Sequence, residues 1–275
     1  MNRLKAFGNS VIYVVISKLI QVLAVVVAGI YFTVKLNMYG TGKEDLYGFF
    51  AKHSLLITII AWVVTFAVIL LIYLISKNDF INETNLNKKL PLKTIVICVV
   101  CGIGINIAID GILTLININE LVPEYEELMA SISSNNFYIT LISVGILAPI
   151  FEELLYRGIV LNKLRNGFGV FGAVMIQALF FGIGHMNLVQ GTYAFLIGII
   201  LGYVVIWTGS LYSSIILHIV INSLSTIISN VQGKAIGYNY LLTFIGTGVL
   251  LTIIGLRIIY MMSEKKETDV IEFID

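Results

Sequence analysis

Pro149-Ile150-Phe151-Glu152-Glu153-Leu154-Leu155-Tyr156-Arg157-Gly158-Ile159-Val160-Leu161 is the stretch on which the fold turns. Two glutamates and an arginine interrupt an apolar run that continues on both sides of them. Working outward, the whole chain has the same character: of 275 residues, 58% are hydrophobic and 12% charged, and mean hydropathy is +0.96. An ordinary soluble domain carries about 25% charged residues. Apolar runs of about 20 residues are long enough to span the hydrocarbon layer, and about eight recur here, near 9–34, 54–76, 94–116, 137–162, 169–188, 191–208, 210–229 and 239–262. The expected fold is an all-α, polytopic transmembrane helix bundle of about eight spans in one membrane domain over 1–275, with a short solvated tail at 263–275.

The bulk numbers exclude other classes. Net charge is +1, and nothing in it suggests a nucleic-acid partner. Cys98 and Cys101 have Cys-x-x-Cys spacing but lie inside one apolar run. A redox pair needs an exposed, electropositive setting, so they read as packing residues. The run behind Arg3 and Lys5 is too long for a signal peptide and lacks a small-residue cleavage site, which makes it a retained first span.

Lysine and arginine accumulate on cytoplasmic loops. With the N-terminus inside, the cytoplasmic side holds Arg3, Lys5, Lys77, Lys88, Lys89, Lys93, Lys163, Arg165, Lys265 and Lys266. The outer side holds Lys35, Lys43, Lys52 and Lys234. Both termini are therefore expected in the cytoplasm, and the acidic segment from Asn117 to Asn136 outside.

A charged side chain at membrane depth costs about 2.5–3.5 kcal/mol on insertion scales, so each needs a reason to be there. Glu153 and Arg157 are four apart on one helix face and can pair. Glu152 is rotated by about 100° and points at a different neighbour. For Arg157 the competing reading is snorkelling into the headgroups. His185 shares a face with Phe181, and His218 with Asn222, by the same spacing. His53 falls in a loop and carries no role. Gly182, Gly184, Gly198 and Gly202 let helices approach closely. Lys18 and Asp110 could pair, or Asp110 could sit near the outer interface, and the sequence leaves both open.

A carboxylate and a histidine converging on one water form a general base toward an amide carbonyl, and a second histidine with an asparagine can donate to the developing oxyanion. Glu152, His185 and His218 could alternatively hold zinc with water in the open position, although no His-Glu-x-x-His segment occurs. A serine protease of the rhomboid kind and a two-aspartate protease lack their motifs here.

Taken in order, Glu152-Glu153-x-x-x-Arg157, Phe181-x-x-x-His185 and His218-x-x-x-Asn222 resemble the three motifs of the CAAX prenyl protease and bacteriocin-processing family (CPBP, also Abi) of intramembrane proteases. The resemblance covers spans four to seven, with 136–232 as the family core. It implies an endopeptidase that hydrolyses a peptide bond in a membrane-associated protein or peptide. Glu152 and His185 would activate water, His218 and Asn222 would stabilise the oxyanion, and Glu153, Arg157 and Phe181 would support them. Bacterial relatives are linked to bacteriocin immunity and to maturation of signalling peptides. Whether zinc is used stays open, and Asn222, which zinc would leave without a role, favours the metal-free form. The competing function is a non-catalytic membrane scaffold regulating a partner such as a sensor kinase. A transporter would show inverted repeats, and none is seen. Straight spans would set Glu152 nearer the cytoplasm and His185 nearer the outside, so their meeting requires a fifth helix that starts deep or tilts.

Overall fold

A computed structural model describes residues 2–39, 46–133, 135–231 and 238–272. Lys43, Lys234 and residues 273–275 lie outside them. In chain order the helices are α1 (Arg3–Tyr39), α2 (Leu46–Ser76), α3 (Phe80–Glu83), α4 (Leu92–Leu115), α5 (Ile118–Leu121), α6 (Pro123–Ser133) and α7 (Phe137–Thr140). Next come a π-helical segment π1 (Leu141–Leu147), α8 (Ala148–Glu153), a second π-helical segment π2 (Leu154–Val160), and α9 (Leu161–Gly184). The chain ends with α10 (Leu188–Thr208), α11 (Leu211–Val231) and α12 (Tyr238–Glu272). No strand occurs among the described residues, so the all-α polytopic bundle holds. In lipid a helix satisfies its own backbone, and this is why apolar runs of this length fold that way.

Seven helices among the described residues are long and apolar enough to cross a membrane. The fourth of these, Phe137–Gly184, has 48 residues and would extend about 70 Å at 1.5 Å per residue, more than twice the roughly 30 Å hydrocarbon layer. It folds back at Gly169, whose φ of 67° and ψ of −175° break the helix. L side chains rarely adopt that φ, and glycine does so without steric cost. The one long helix thus contains the fourth and fifth apolar runs as two arms.

Two details extend the sequence reading and a third corrects it. The segment from Asn117 to Asn136 is mostly helical, in α5 and α6, and Tyr125 of α6 is buried. Most of the tail after Ser263 continues α12 as helix. His53 is inside α2, not a loop, with its ring 4.7 Å from that of Phe49.

Two clusters form the core. One gathers Tyr13 of α1, Trp62, Phe66, Ile69 and Tyr73 of α2, and Leu155, Ile159 and Phe181 from the arms. The other packs Cys98, Cys101 and Ile105 of α4 against Leu201, Leu217 and Ile259. Both cysteines are free and buried, in keeping with a packing role.

The α4–α12 contact depends on missing side chains. A Cβ on Gly104 would lie 2.8 Å from the Gly248 carbonyl oxygen, and one on Gly248 would lie 2.7 Å from the Gly104 carbonyl oxygen. Backbone cannot yield as a side-chain tip can, and overpacking a tight contact costs about 1–3 kcal/mol. Gly104→Val should therefore lower thermal stability in detergent by at least that much. Gly246→Ala, on the same α12 with nothing within 4 Å of the added Cβ, should leave it unchanged or raised. Equal melting temperatures for G104V and wild type would contradict this packing.

Candidate active site

The fold-back at Gly169 settles how Glu152 and His185 meet. Glu152 lies 17 positions before Gly169 and His185 lies 16 after it, so antiparallel arms bring both to the same level. The second arm, residues 170–184, is about 22 Å long, too short to cross the hydrocarbon layer. It ends at His185, its C-cap residue. Met186 then turns the chain with φ of 58°, and the Asn187 side chain accepts from the Gln190 N–H at the start of α10. The expected difference in depth came from counting straight spans. The short second arm removes it.

Glu152 and Glu153 close α8, between the two π-helical segments. Such wide turns are rare and cluster at functional sites. Pro149 gives π1 a local cause, because it has no N–H to offer the carbonyls four and five residues before it, those of Gly145 and Val144. Two side chains of α11 supply the missing donors. Asn222 Nδ2 donates to Val144 O at 3.2 Å, and Ser223 Oγ donates to Gly145 O at 3.1 Å. Part of what Asn222 does is therefore structural. Its amide keeps a second N–H.

Glu153 is fully buried and its Oε1 accepts twice, from Arg157 Nη1 at 2.7 Å and from His218 Nδ1 at 2.8 Å. The expected Glu153–Arg157 pair is present. Arg157 is fully buried, so it does not snorkel. Its guanidinium carbon lies 4.3 Å from the centroid of the Phe181 ring, a cation–π contact that gains strength away from water. The same ring meets His185 edge-on at 4.8 Å and His218 at 5.7 Å. Phe181 is the apolar hub that spaces both histidines.

Both histidines are held in one orientation by groups that can only accept. His185 Nδ1 is 2.8 Å from Phe181 O, and His218 Nδ1 faces the Glu153 carboxylate. Each Nδ1 must carry the proton, which leaves each Nε2 turned to the site. His218 Nε2 is 3.8 Å from Glu152 Oε2. The Glu152 side chain is 17% exposed, against 4% for His218 and none for Glu153. Glu152 is also within electrostatic reach of His185, Tyr156, Arg157 and Lys18.

The structure thus joins Glu152, Glu153, Arg157, Phe181, His185 and His218 in one contact network, with Asn222 attached through π1. The side chains are packed together. Two described cavities lie elsewhere. One of about 660 Å³ is lined by Asn78, Glu83, Lys163, Arg165 and Gly169, and a small one of about 40 Å³ by Trp62, Val144, Leu147 and Phe151. Among the described residues no three His, Cys, Asp or Glu side chains converge as a metal-holding group. The donor set therefore offers no fitted zinc site, and no step below passes through a metal.

Two neighbours of this site were not assigned to it from the sequence. Lys18 does not pair with Asp110. Its Nζ donates to Gly184 O at 2.7 Å and to Gln21 Oε1 at 3.2 Å. Tyr156, an unassigned position inside the first motif, lies with its hydroxyl against Gly184, where a Cβ would come within 2.7 Å of Oη. Lys18 had left one signal, a lone cation in the middle of an apolar run.

No curated protein and no solved structure matches the chain. Residues 134–224, which hold all three motifs and every residue of the network, match the family model described as Rce1-like, type II CAAX prenyl endopeptidase. Over that segment the chain is similar to the Rce1-like type II CAAX prenyl endopeptidase family.

Proposed function

We propose that the protein is an intramembrane endopeptidase that uses glutamate-activated water. The carrying observation is the Glu152–His218–Glu153–Arg157 chain, in which one carboxylate is buried and committed while the other stays accessible.

Glu152 takes a proton from water, and the resulting hydroxide attacks the scissile carbonyl carbon. The carbonyl electron pair moves onto its oxygen. His185, with Nδ1–H tied to Phe181 O, accepts a hydrogen bond at Nε2 from the remaining O–H and so orients the nucleophile. His218, whose Nδ1–H is held by Glu153, donates from Nε2 to the oxyanion when that nitrogen is protonated, with the second N–H of Asn222 beside it. The proton held by Glu152 then passes to the leaving amine nitrogen as the C–N bond breaks. Glu153 and Arg157 set the orientation of His218.

The substrate is a membrane-associated protein or peptide, in keeping with a catalytic set enclosed among apolar helices. The protein would act in the cell membrane with both termini in the cytoplasm, in bacteriocin immunity or in maturation of a signalling peptide. The scaffold reading needs no accessible carboxylate and no aligned histidines.

The test is terminal-peptide mass spectrometry on membranes carrying wild type, E152A, H185A or H218A. New peptide ends should appear with wild type and vanish with all three variants. Identical termini across the four would favour the scaffold. Adding a strong chelator should leave the wild-type products at undiminished level, and their loss, restored by zinc, would replace the metal-free mechanism.

A further inference from the structure

The end of α9 accounts for all four of its last carbonyls, groups that a helix cannot satisfy internally. Phe181 O faces His185 Nδ1, Gly182 O accepts from the His185 N–H at 3.1 Å, and Ile183 O accepts from the Met186 N–H at 3.1 Å. Gly184 O alone among the four is satisfied from another helix, by Lys18 Nζ at 2.7 Å across 166 positions of sequence. An unpaired carbonyl is costly where no water reaches, and a cation at a helix C-terminus also complements the helix dipole.

We infer that Lys18 is a positioning residue for the proposed peptidase site, clamping the terminal carbonyl of α9 so that His185 is held opposite Glu152. The surroundings support a fixed arrangement. Tyr156 Oη leaves no room for a Cβ at Gly184, and Gln21 Oε1 accepts a second ammonium proton. Among the described residues no carboxylate lies within 4.0 Å of the Lys18 ammonium. The lysine is therefore not there to complete a salt bridge, and its shortest bond goes to the residue next to His185. Helix α1 lies outside the matched segment, so the site extends beyond the family core.

The test uses the full chain labelled with [15N]histidine in detergent micelles, with resonances assigned through His53→Gln and His218→Gln. In K18M the His185 ring nitrogens should shift or broaden while those of His53 stay put, and K18R, which keeps a cationic donor, should restore them. In membranes K18M should slow product formation about 10- to 100-fold, the range expected when a catalytic group is displaced by an ångström or so. K18R should return to within threefold. If K18M does not accumulate, K18Q, with a shorter neutral donor, should give the same His185 shift. Unmoved His185 resonances in the neutral variants, or full activity of K18M, would overturn the clamp. Because the inference rests on the peptidase reading, E152A is run alongside. Cleavage that persists in E152A sinks the peptidase and leaves the His185 resonances to decide on Lys18.

Discussion

Glu153→Ala should cost about 3–5 kcal/mol of stability, the penalty for removing one partner of a buried ion pair and stranding the other charge. Glu153 and Arg157 are both fully buried, so water cannot replace the lost carboxylate. The same substitution removes the acceptor of His218 Nδ1, and cleavage should be lost with it. Stability and catalysis can then be separated with E153L/R157M. Exchanging a buried pair for apolar side chains is often neutral, so this double variant should regain most of the thermal stability in detergent. It should stay inactive, because His218 remains without its partner. A single E153A variant that melts with wild type would show that the buried pair does not stabilise the fold.

Glu152→Gln should give the opposite pattern. Glu152 is partly exposed, and its ion-pair contact to His218 is 3.8 Å, beyond hydrogen-bond distance. The amide fills the same space, so thermal stability should stay within about 0.5 kcal/mol of wild type, as for substitutions away from tightly coupled sites. An amide cannot take the proton from water, and a positioned general base contributes about 10²–10⁴-fold in rate. Product formation should fall by that factor, followed as the rate of appearance of the new peptide termini. An E152Q variant that cuts at the wild-type rate would remove Glu152 from the chemistry. Together the two variants ask whether adjacent glutamates have separate duties, one holding Arg157 and His218, the other handling the proton.

The difference in pairing behind that question was already visible in the spacing. Residues four apart on a helix pair, and residues one apart diverge, so Glu153 found Arg157 and Glu152 was left over. The histidine motifs were legible for the same reason, since Phe181 with His185 and His218 with Asn222 each repeat the helical spacing. Two things were not legible. One was the Glu153–His218 bond, across 65 positions of sequence, which belongs to the approach of α11 to the arms. The other was Lys18, whose partner is a backbone carbonyl and so leaves no trace in the residue type at position 184. Asn222 lay between these cases. Its motif position was plain, but its bond to Val144 O follows from Pro149 and the wide turn of π1.

By itself the sequence determined the class of fold, the approximate spans, the residues of the network and the pairing within each helix. These depend on composition and on a 3.6-residue period, both local properties of the chain. The tertiary structure decided the depth at which Glu152 and His185 meet, because it turned on where a 48-residue helix folds back. It also decided the proton positions of both histidines and the contribution of α1. Each of these is set by which backbone or carboxylate oxygen a distant helix presents, and no local pattern of residues encodes that.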